Sequence, residues 1–383
     1  MRTKFCLSVA CGIALCISAG SVARADLLVT SRIRYYSTNY SNGNRIILRF
    51  DDRTGALINQ FGYDTESFAG MTVGPDERIY VTSNIIGWGD VYRFTRNGKF
   101  LGGFDTHTPT GGTATYLIQP GNLTFGPDGN CYVIGSGSLF GPDRGLILRY
   151  DGVTRAFNDY FVTNAGAPGD LAFGREGHLY IADAKLGIVR YNGKTGEFMD
   201  TFVSAGSAGV SGYFGFIFGP DGNLYVRSHD SNAVVRFDGN SGAFLDYFVA
   251  PGSGGLKSPG GLAFGPDGNL YVSSSDTDRI LRYDGHTGAF LDVFATDAAM
   301  TNPANLVFTP PLPQLQIKHA GDTVEISWPN SSSAPNWTLA KQRSLDATNE
   351  WTVLTNTPVL EGTNYVVTDQ RDGIPAFYRL EQH

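Results

Sequence analysis

Cysteine is scarce where it would matter. Of the four in the 383-residue chain, Cys6, Cys11 and Cys16 crowd the N-terminus, and only Cys131 lies beyond. Residues after that segment therefore cannot close a disulfide among themselves, and their stability must come from packing. Cys131 stands where sibling segments carry Leu or Ile, which reads as a small buried hydrophobe rather than a nucleophile. Runs of Lys or Arg are also missing, and the formal net charge is −7. That argues against nucleic acid and anionic membranes as partners, since both require cationic patches. No apolar run is long enough to span a bilayer comfortably. Phosphate-binding loops, Cys-x-x-Cys pairs and a Gly-x-Ser-x-Gly elbow are absent. A 3.6-residue apolar period is absent too, which excludes a helical solenoid.

What is present begins with a leader. Arg2 and Lys4 precede an apolar run from Phe5 to about Ser18, and Ala23-Arg24-Ala25 supplies a small-x-small cleavage pattern. Residues 1–25 read as a secretory signal peptide. The expectation is a secreted or periplasmic protein, cleaved near Ala25, with no membrane insertion of the mature chain. Because Arg2, Lys4 and Arg24 would leave without an acid, the mature chain would be more acidic still.

A repeat follows. Gly265-Pro266-Asp267-Gly268-Asn269-Leu270-Tyr271-Val272 recurs from Gly219 and Gly126, with degenerate copies from Gly174 and Gly74. A second block, Ile280-Leu281-Arg282-Tyr283-Asp284-Gly285, recurs with its Arg-aromatic pair at 49–50, 93–94, 149–150, 190–191 and 236–237. A third block like Thr287-Gly288-Ala289-Phe290-Leu291-Asp292-Val293-Phe294 follows each. Every unit thus holds four short runs, A to D. Gly-Pro-Asp-Gly joins A to B and Asp-Gly-x-Thr-Gly joins C to D, both suited to tight turns. Four antiparallel strands at this period describe a propeller blade. Runs B to D occur six times, starting at Leu27–Thr30, whereas the sixth run A, residues 303–308, comes last. Residues 303–308 are therefore expected to pair with Leu27–Thr30 and close the ring. The fold class is all-β: a six-bladed β-propeller over 26–309, then a small β-sandwich.

These blocks resemble the NHL-repeat family and the streptogramin lyase-like and gluconolactonase-like six-bladed propellers. That resemblance implies the propeller fold and leaves function open, because such propellers host lyases, lactonases and binding proteins. Thr309-Pro310-Pro311-Leu312-Pro313 is a stiff spacer, with the linker proper at 310–313. Residues 314–383 contain six strand-like runs, with Trp328, Trp337 and Trp351 to fill a small core. Their pattern resembles fibronectin-III-like or immunoglobulin-like modules.

Strand order places the A–B and C–D turns on one rim and the B–C and D–A connections on the other. All the insertions fall on the second rim, where binding residues usually sit on a rigid scaffold. Tyr36, Trp88, Tyr116 and Phe140 come from these loops and offer an aromatic surface for sugar rings or peptide side chains. At the channel mouth, Asn122, Asp170, Asn305 and Gly261 occupy one position of run A, with Met71 and Phe216 assigned to it in the remaining two units. In gluconolactonase-like propellers, Asn and acidic residues near this level bind a divalent cation. By that resemblance, Asn122, Asp170 and Asn305 would be a residual oxygen set for an ion such as Ca, while capping of polar backbone is the other reading. His229-Asp230 matches part of the His-and-acid set of streptogramin lyase-like enzymes, or is a solvated loop. The resulting expectation is a non-catalytic protein with no resident cofactor. It binds an extracellular or envelope glycan, peptide or protein through Tyr36, Trp88, Tyr116, Phe140, Asn122, Asp170, His229 and Asn305. The alternative is a metal-dependent lyase or lactone hydrolase.

Overall fold

The computed structural model describes residues 7–8, 25–32, 45–62, 68–85, 88–104, 107–110, 113–116, 120–136, 145–210, 215–311, 313–330, 337–342, 351–370 and 376–382. Among them the chain is all-β, with only short 3-10 turns besides strands and loops. It divides into two compact units: Ala25–Gly74 with Arg78–Thr309, and Pro310–His383 with Met1–Arg24 and Pro75–Glu77.

The larger unit repeats one four-stranded antiparallel sheet, consistent with a β-propeller. In A-to-D order, the first sheet is Leu306–Phe308, Asp26–Arg32, Arg45–Asp51 and Leu57–Phe61. The second is Phe68–Val73, Ile79–Ile85, Trp88–Phe94 and Phe100–Gly103. The third is Leu123–Phe125, Cys131–Ser136, Gly145–Tyr150 and Phe157–Val162. The fourth is Pro168–Phe173, Leu179–Asp183, Gly187–Tyr191 and Phe198–Ser204. Phe216–Phe218, Leu224–Ser228, Ala233–Phe237 and Phe244–Val249 make the fifth. Pro259–Phe264, Leu270–Ser274, Arg279–Tyr283 and Phe290–Ala295 make the sixth. The late strand does pair with the early one: Leu27 lies opposite Phe308, Leu28 opposite Val307 and Val29 opposite Leu306. Asp26 and Thr309 add two hydrogen bonds, Asp26 N to Thr309 Oγ1 (2.8 Å) and Thr309 N to Asp26 O (2.9 Å).

The repeated blocks have chemical reasons. In Gly-Pro-Asp-Gly-Asn-x-Tyr, Asp128 accepts the Asn130 backbone N–H (3.1 Å) and its side-chain amide (2.7 Å), and the Tyr132 hydroxyl (2.9 Å). Asp221 and Asp267 repeat the pattern on Tyr225 and Tyr271. Each such tyrosine is wedged between the Phe ending its own D strand and the Phe of the next sheet's A strand. Tyr225 packs edge-on to Phe248 and Phe264, with centroids 5.0 Å away in both cases. Tyr271 does the same with Phe294 and with Phe308, so the sixth sheet is stapled to the first. Such pairs contribute about 0.5–1.5 kcal/mol beyond the area they bury. Apolar clusters accordingly form between neighbouring sheets, as where Ile188 and Phe202 meet Phe216, Val226 and Val235. Cys131 is fully buried in one of them, and burial pushes its thiol up, as a small hydrophobe requires.

The smaller unit holds two four-stranded sheets. One is Gln316–Ala320, Thr323–Pro329, Asn364–Gln370 and Val359–Glu361. The other is Leu7–Ser8, Phe377–Gln382, Trp337–Gln342 and Thr352–Val353. The short strand Val359–Glu361 was not legible in the sequence, because its three residues carry no alternating pattern. Trp328 is the aromatic centre of this unit's core, with Ile326, Leu339, Val367 and Tyr378. Trp337 is buried outside that cluster and Trp351 is only half-buried, so one tryptophan rather than three fills it. Lys341 and Tyr378, on one sheet, both bond Asp369 on the other.

Candidate functional site

The two ends of the six sheets differ. At the tight-turn end, five of the six C–D turns are held by an Asx residue, Asp51, Asp151, Asn192, Asp238 and Asp284, and the second sheet's turn by Thr95. Asp284 accepts the N–H groups of His286 (3.1 Å) and Thr287 (2.8 Å), and Gly288 N returns to Asp284 O (2.8 Å). The Thr287 hydroxyl and these amides hold the Asp284 carboxyl below its ordinary range.

At the loop end, one position near the start of each A strand governs what can be built. Strand pairing aligns Asn305, Gly70, Asn122, Asp170, Gly215 and Gly261 there. Gly70 and Gly215 replace Met71 and Phe216 in the sequence alignment. Met71 and Phe216 lie opposite Val81 and Val226 and belong one residue further along. The bulge between Phe68 and Met71 hides the offset from a sequence reading.

These positions form a ring of ties between A strands. Asn305 Nδ2 donates to Ala69 O in the second sheet (2.7 Å). Thr82 Oγ1 accepts Gly70 N (2.7 Å) and donates to Gly121 O in the third (2.7 Å). Asn122 donates to Asp170 in the fourth, and Asp170 Oδ2 accepts Phe216 N in the fifth (3.1 Å). Arg227 donates to Pro259 O in the sixth (3.0 Å). Ser273 Oγ accepts Gly261 N (2.7 Å) and donates to Ala304 O, back in the first sheet (2.8 Å). Asn122, Asp170 and Asn305 are therefore not gathered around one point. Both Asp170 oxygens are engaged, since Oδ1 also accepts Leu171 N (2.9 Å). Burial pushes the Asp170 carboxyl up to about 6, against the opposing pull of the Phe216 N–H, Arg227, the Leu171 N–H and Asn122. Burial lowers the Arg227 guanidinium, and Asp170 counters it.

Beside this ring opens a cavity of about 420 Å³. Asn305, Arg227, His229, Ser258, Ser275 and Asp276 supply its polar groups, with Phe68 and Pro259 as apolar wall. Ser258 Oγ donates to Asp276 Oδ2 (2.5 Å), and Ser275 Oγ to Pro303 O (2.6 Å). The His229 side chain is 62% exposed and lies 3.7 Å from Asp230. Of the residues anticipated from sequence, the cavity unites His229 and Asn305; Asn122 and Asp170 connect to it only through Arg227. Trp88 and Tyr116 lie on described strands, Tyr116 in an unforeseen hairpin of His107–Thr110 and Thr113–Tyr116, but their side chains fall outside the description. Tyr36 and Phe140 lie outside the described residues. Arg227, Ser258, Ser275 and Asp276 were missed. Arg227 had a signal, a cation inside an otherwise apolar strand where siblings carry Thr30, Thr82 or Ser273.

Chemically, this cavity presents hydroxyls, carbonyl oxygens, an amide, a guanidinium and a carboxylate, a mixture suited to hydrogen-bonding ligands. Among the described residues, no three or more His, Cys, Asp or Glu side chains are grouped to hold a metal. No helix among them is long and apolar enough to cross a membrane.

No family model matches the sequence, and no curated protein does. Solved structures do match. A Bacteroides caccae protein of unknown function shares 13% identity over 76% of this chain and 100% of its own, with a TM-score of 0.54. A chain from a nidogen/laminin complex shares 13% identity over 74% of this chain and 98% of its own, with a TM-score of 0.54. A catalytically inactive virginiamycin B lyase from Staphylococcus aureus, solved with quinupristin, shares 14% identity over 83% and 96%, with a TM-score of 0.41. At such identities the first two likenesses speak for fold alone.

Proposed function

We propose that this chain is an exported, non-catalytic binding protein. Its larger unit, 26–309, is a closed six-bladed β-propeller of NHL-like repeats. Residues 310–313 link it to a β-sandwich module of the fibronectin-III or immunoglobulin-like kind over 314–383. The loop rim binds an extracellular or envelope glycan or peptide, and the cavity beside the A-strand ring is its centre. The observation that carries this reading is how the polar groups are divided. Asn122 and Asp170 are consumed in ties between strands and Asn305 both ties and lines the cavity, whereas His229 and Asp276 line an open cavity of about 420 Å³ without joining one A strand to the next. A carboxylate whose oxygens already accept two backbone N–H groups and an amide is poorly placed to ligate a cation.

Export would remove Leu7–Ser8 from the edge of the smaller unit's sheet, leaving three strands there. The test begins with N-terminal sequencing of the protein recovered outside the cytoplasm, which should begin near Ala25 or Asp26. Glycan and peptide arrays should then give a saturable ligand, and protein dialysed against chelator should bind it equally well. Stoichiometric metal surviving dialysis, together with turnover of the bound ligand, would replace this reading with the lyase or hydrolase one.

A further inference from the structure

The cavity beside the A-strand ring has already spent much of its hydrogen-bonding capacity, and what is left selects a ligand class. Its main chain is committed inward. The N–H groups of Ser258 and Asn302 go to Asn232 Oδ1 (2.7 Å) and Asp278 Oδ1 (2.7 Å). Those of Ala304 and Asn305 go to Thr30 O (2.9 Å) and Thr30 Oγ1 (3.0 Å). Arg227 N donates to Gly215 O (3.1 Å), and Ser275 N to Ser258 O (3.1 Å). The hydroxyl protons of Ser258 and Ser275 are spent on Asp276 and on Pro303 O.

What stays available is carried by side chains. Among the described residues, Ser258 is the one partner of Asp276, so this exposed carboxylate keeps Oδ1 for a ligand. Asn305 gives an amide proton to Ala69 O (2.7 Å) and keeps Oδ1 and its second proton. The Asn302 side chain has no partner among the described residues, and both serine oxygens can still accept. These groups are also fixed in advance. Ser258 and Asn302 are both left-handed, at φ 49 and φ 46, and each precedes a proline. Asn232 and Asp278, which hold their N–H groups, occupy equivalent places in consecutive B–C turns and are left-handed too, at φ 51 and φ 53. Side-chain-bearing residues keep such backbone only where surrounding contacts impose it. The same latch is thus used twice on this cavity, and little ordering is left for a ligand to impose.

The proposed binding function, on which this inference rests, leaves glycan and peptide as ligand classes. A peptide is held largely through its own main chain, whose N–H and C=O groups need a matching backbone edge. Among the described residues this cavity offers none, because the N–H groups named above are committed. A sugar hydroxyl both donates and accepts, so it suits a carboxylate and side-chain amides, while the C–H face of the ring covers Phe68 and Pro259. Charge narrows the class further. Arg227 already bonds Pro259 O and has Asp170 as its counter-charge, which leaves Asp276 and a chain of formal charge −7 to disfavour an acidic sugar. We propose that the cavity is a subsite for a neutral sugar ring, whose hydroxyls are taken by Asp276 and Asn305.

The test prints neutral oligosaccharides, acidic oligosaccharides and peptides on one array and probes it with the full chain. The expected result is saturable binding to at least one neutral oligosaccharide and none to its permethylated form, which keeps the oxygens but has no hydroxyl proton to donate. Calorimetry with that oligosaccharide should show binding about tenfold weaker in Asp276→Asn, the order lost with one hydrogen bond to a charged group. Its Tm should be unchanged, since Asp276 is exposed. Arg53→Ala, on the first sheet's tight turn, should bind as the wild type does. Saturable binding to peptides or acidic oligosaccharides alone overturns the inference and leaves the binding function standing. Equal affinity of wild type and Asp276→Asn, or equal binding of the permethylated form, overturns it in the same way. An array with no saturable ligand contradicts the binding function itself, and the inference falls with it.

Discussion

The two rims of the six sheets solve different problems. On the tight-turn rim, local backbone needs dictate each residue. Asp151, Asp238 and Asp284 cap nearly identical C–D turns with the same pair of backbone acceptances. On the loop rim, the only shared need is to tie each A strand to the next, and almost every tie uses different chemistry: an amide on a carbonyl, hydroxyls, an Asn–Asp bond, a guanidinium. Where a backbone conformation must recur, the residue recurs. Where only a link must exist, the residues are free to diverge, and divergence is what a binding surface needs.

The sharpest break in that comparison is to open the ring. Deleting residues 300–309 removes Leu306–Phe308 with the Asn305, Thr309 and Ala304 bonds, and cooperative thermal unfolding of the larger unit should disappear. Ending the chain at Pro311 should keep it. Equal behaviour of the two truncations would mean that the late strand does not close the unit.

Asp26→Ala comes next. Asp26 is buried and accepts both Arg49 (2.8 Å) and Arg96 (2.8 Å). Its removal leaves two partly buried guanidiniums without their carboxylate, and denaturant unfolding should show a loss of about 3–5 kcal/mol. A loss no larger than that of an exposed pair such as Arg236–Asp246 would show that the first sheet's ion cluster is as weakly coupled as the others.

Asp170 provides a pH test of the loop-rim ring. Its carboxyl titrates near 6 when folded and near 3.8 otherwise, so between those values the folded protein holds the extra proton. Its contribution is most favourable below about pH 4 and declines as pH rises through 6. From pH 4 to pH 7 the wild type should lose about 2–3 kcal/mol relative to Asp170→Asn. Parallel stability curves for the two proteins would show that the Asp170 carboxyl is not buried against its own charge.

Much of the fold could be read from composition and spacing, because turn chemistry and strand alternation are local. Gly-Pro-Asp-Gly and Asp-Gly-x-Thr-Gly each name their turn, and the displaced copy at 303–308 announces that Leu306–Phe308 must return to Leu27–Val29. The candidate site was legible only in pieces. Asn305 and His229 could be placed near the mouth, but the cavity also needs Arg227, Ser258, Ser275 and Asp276, which come from three separate segments. Their convergence depends on how sheets pack, which no local pattern encodes. Register was the other limit. Because side chains alternate between faces, one residue of slip exchanged Gly70 and Gly215 for Met71 and Phe216.

The comparison of rims is tested most directly by affinity. For a ligand found on the arrays, binding should be measured by calorimetry for His229→Ala on the loop rim and for Asp267→Ala and Thr287→Ala on the tight-turn rim. His229 is largely exposed and Asp267 serves its own hairpin, so each change isolates its rim. The account predicts that His229→Ala weakens binding about tenfold, roughly 1.4 kcal/mol, with Tm unchanged. It predicts that the two tight-turn variants keep full affinity while melting earlier. Affinity that follows Asp267→Ala or Thr287→Ala, and ignores His229→Ala, would contradict it.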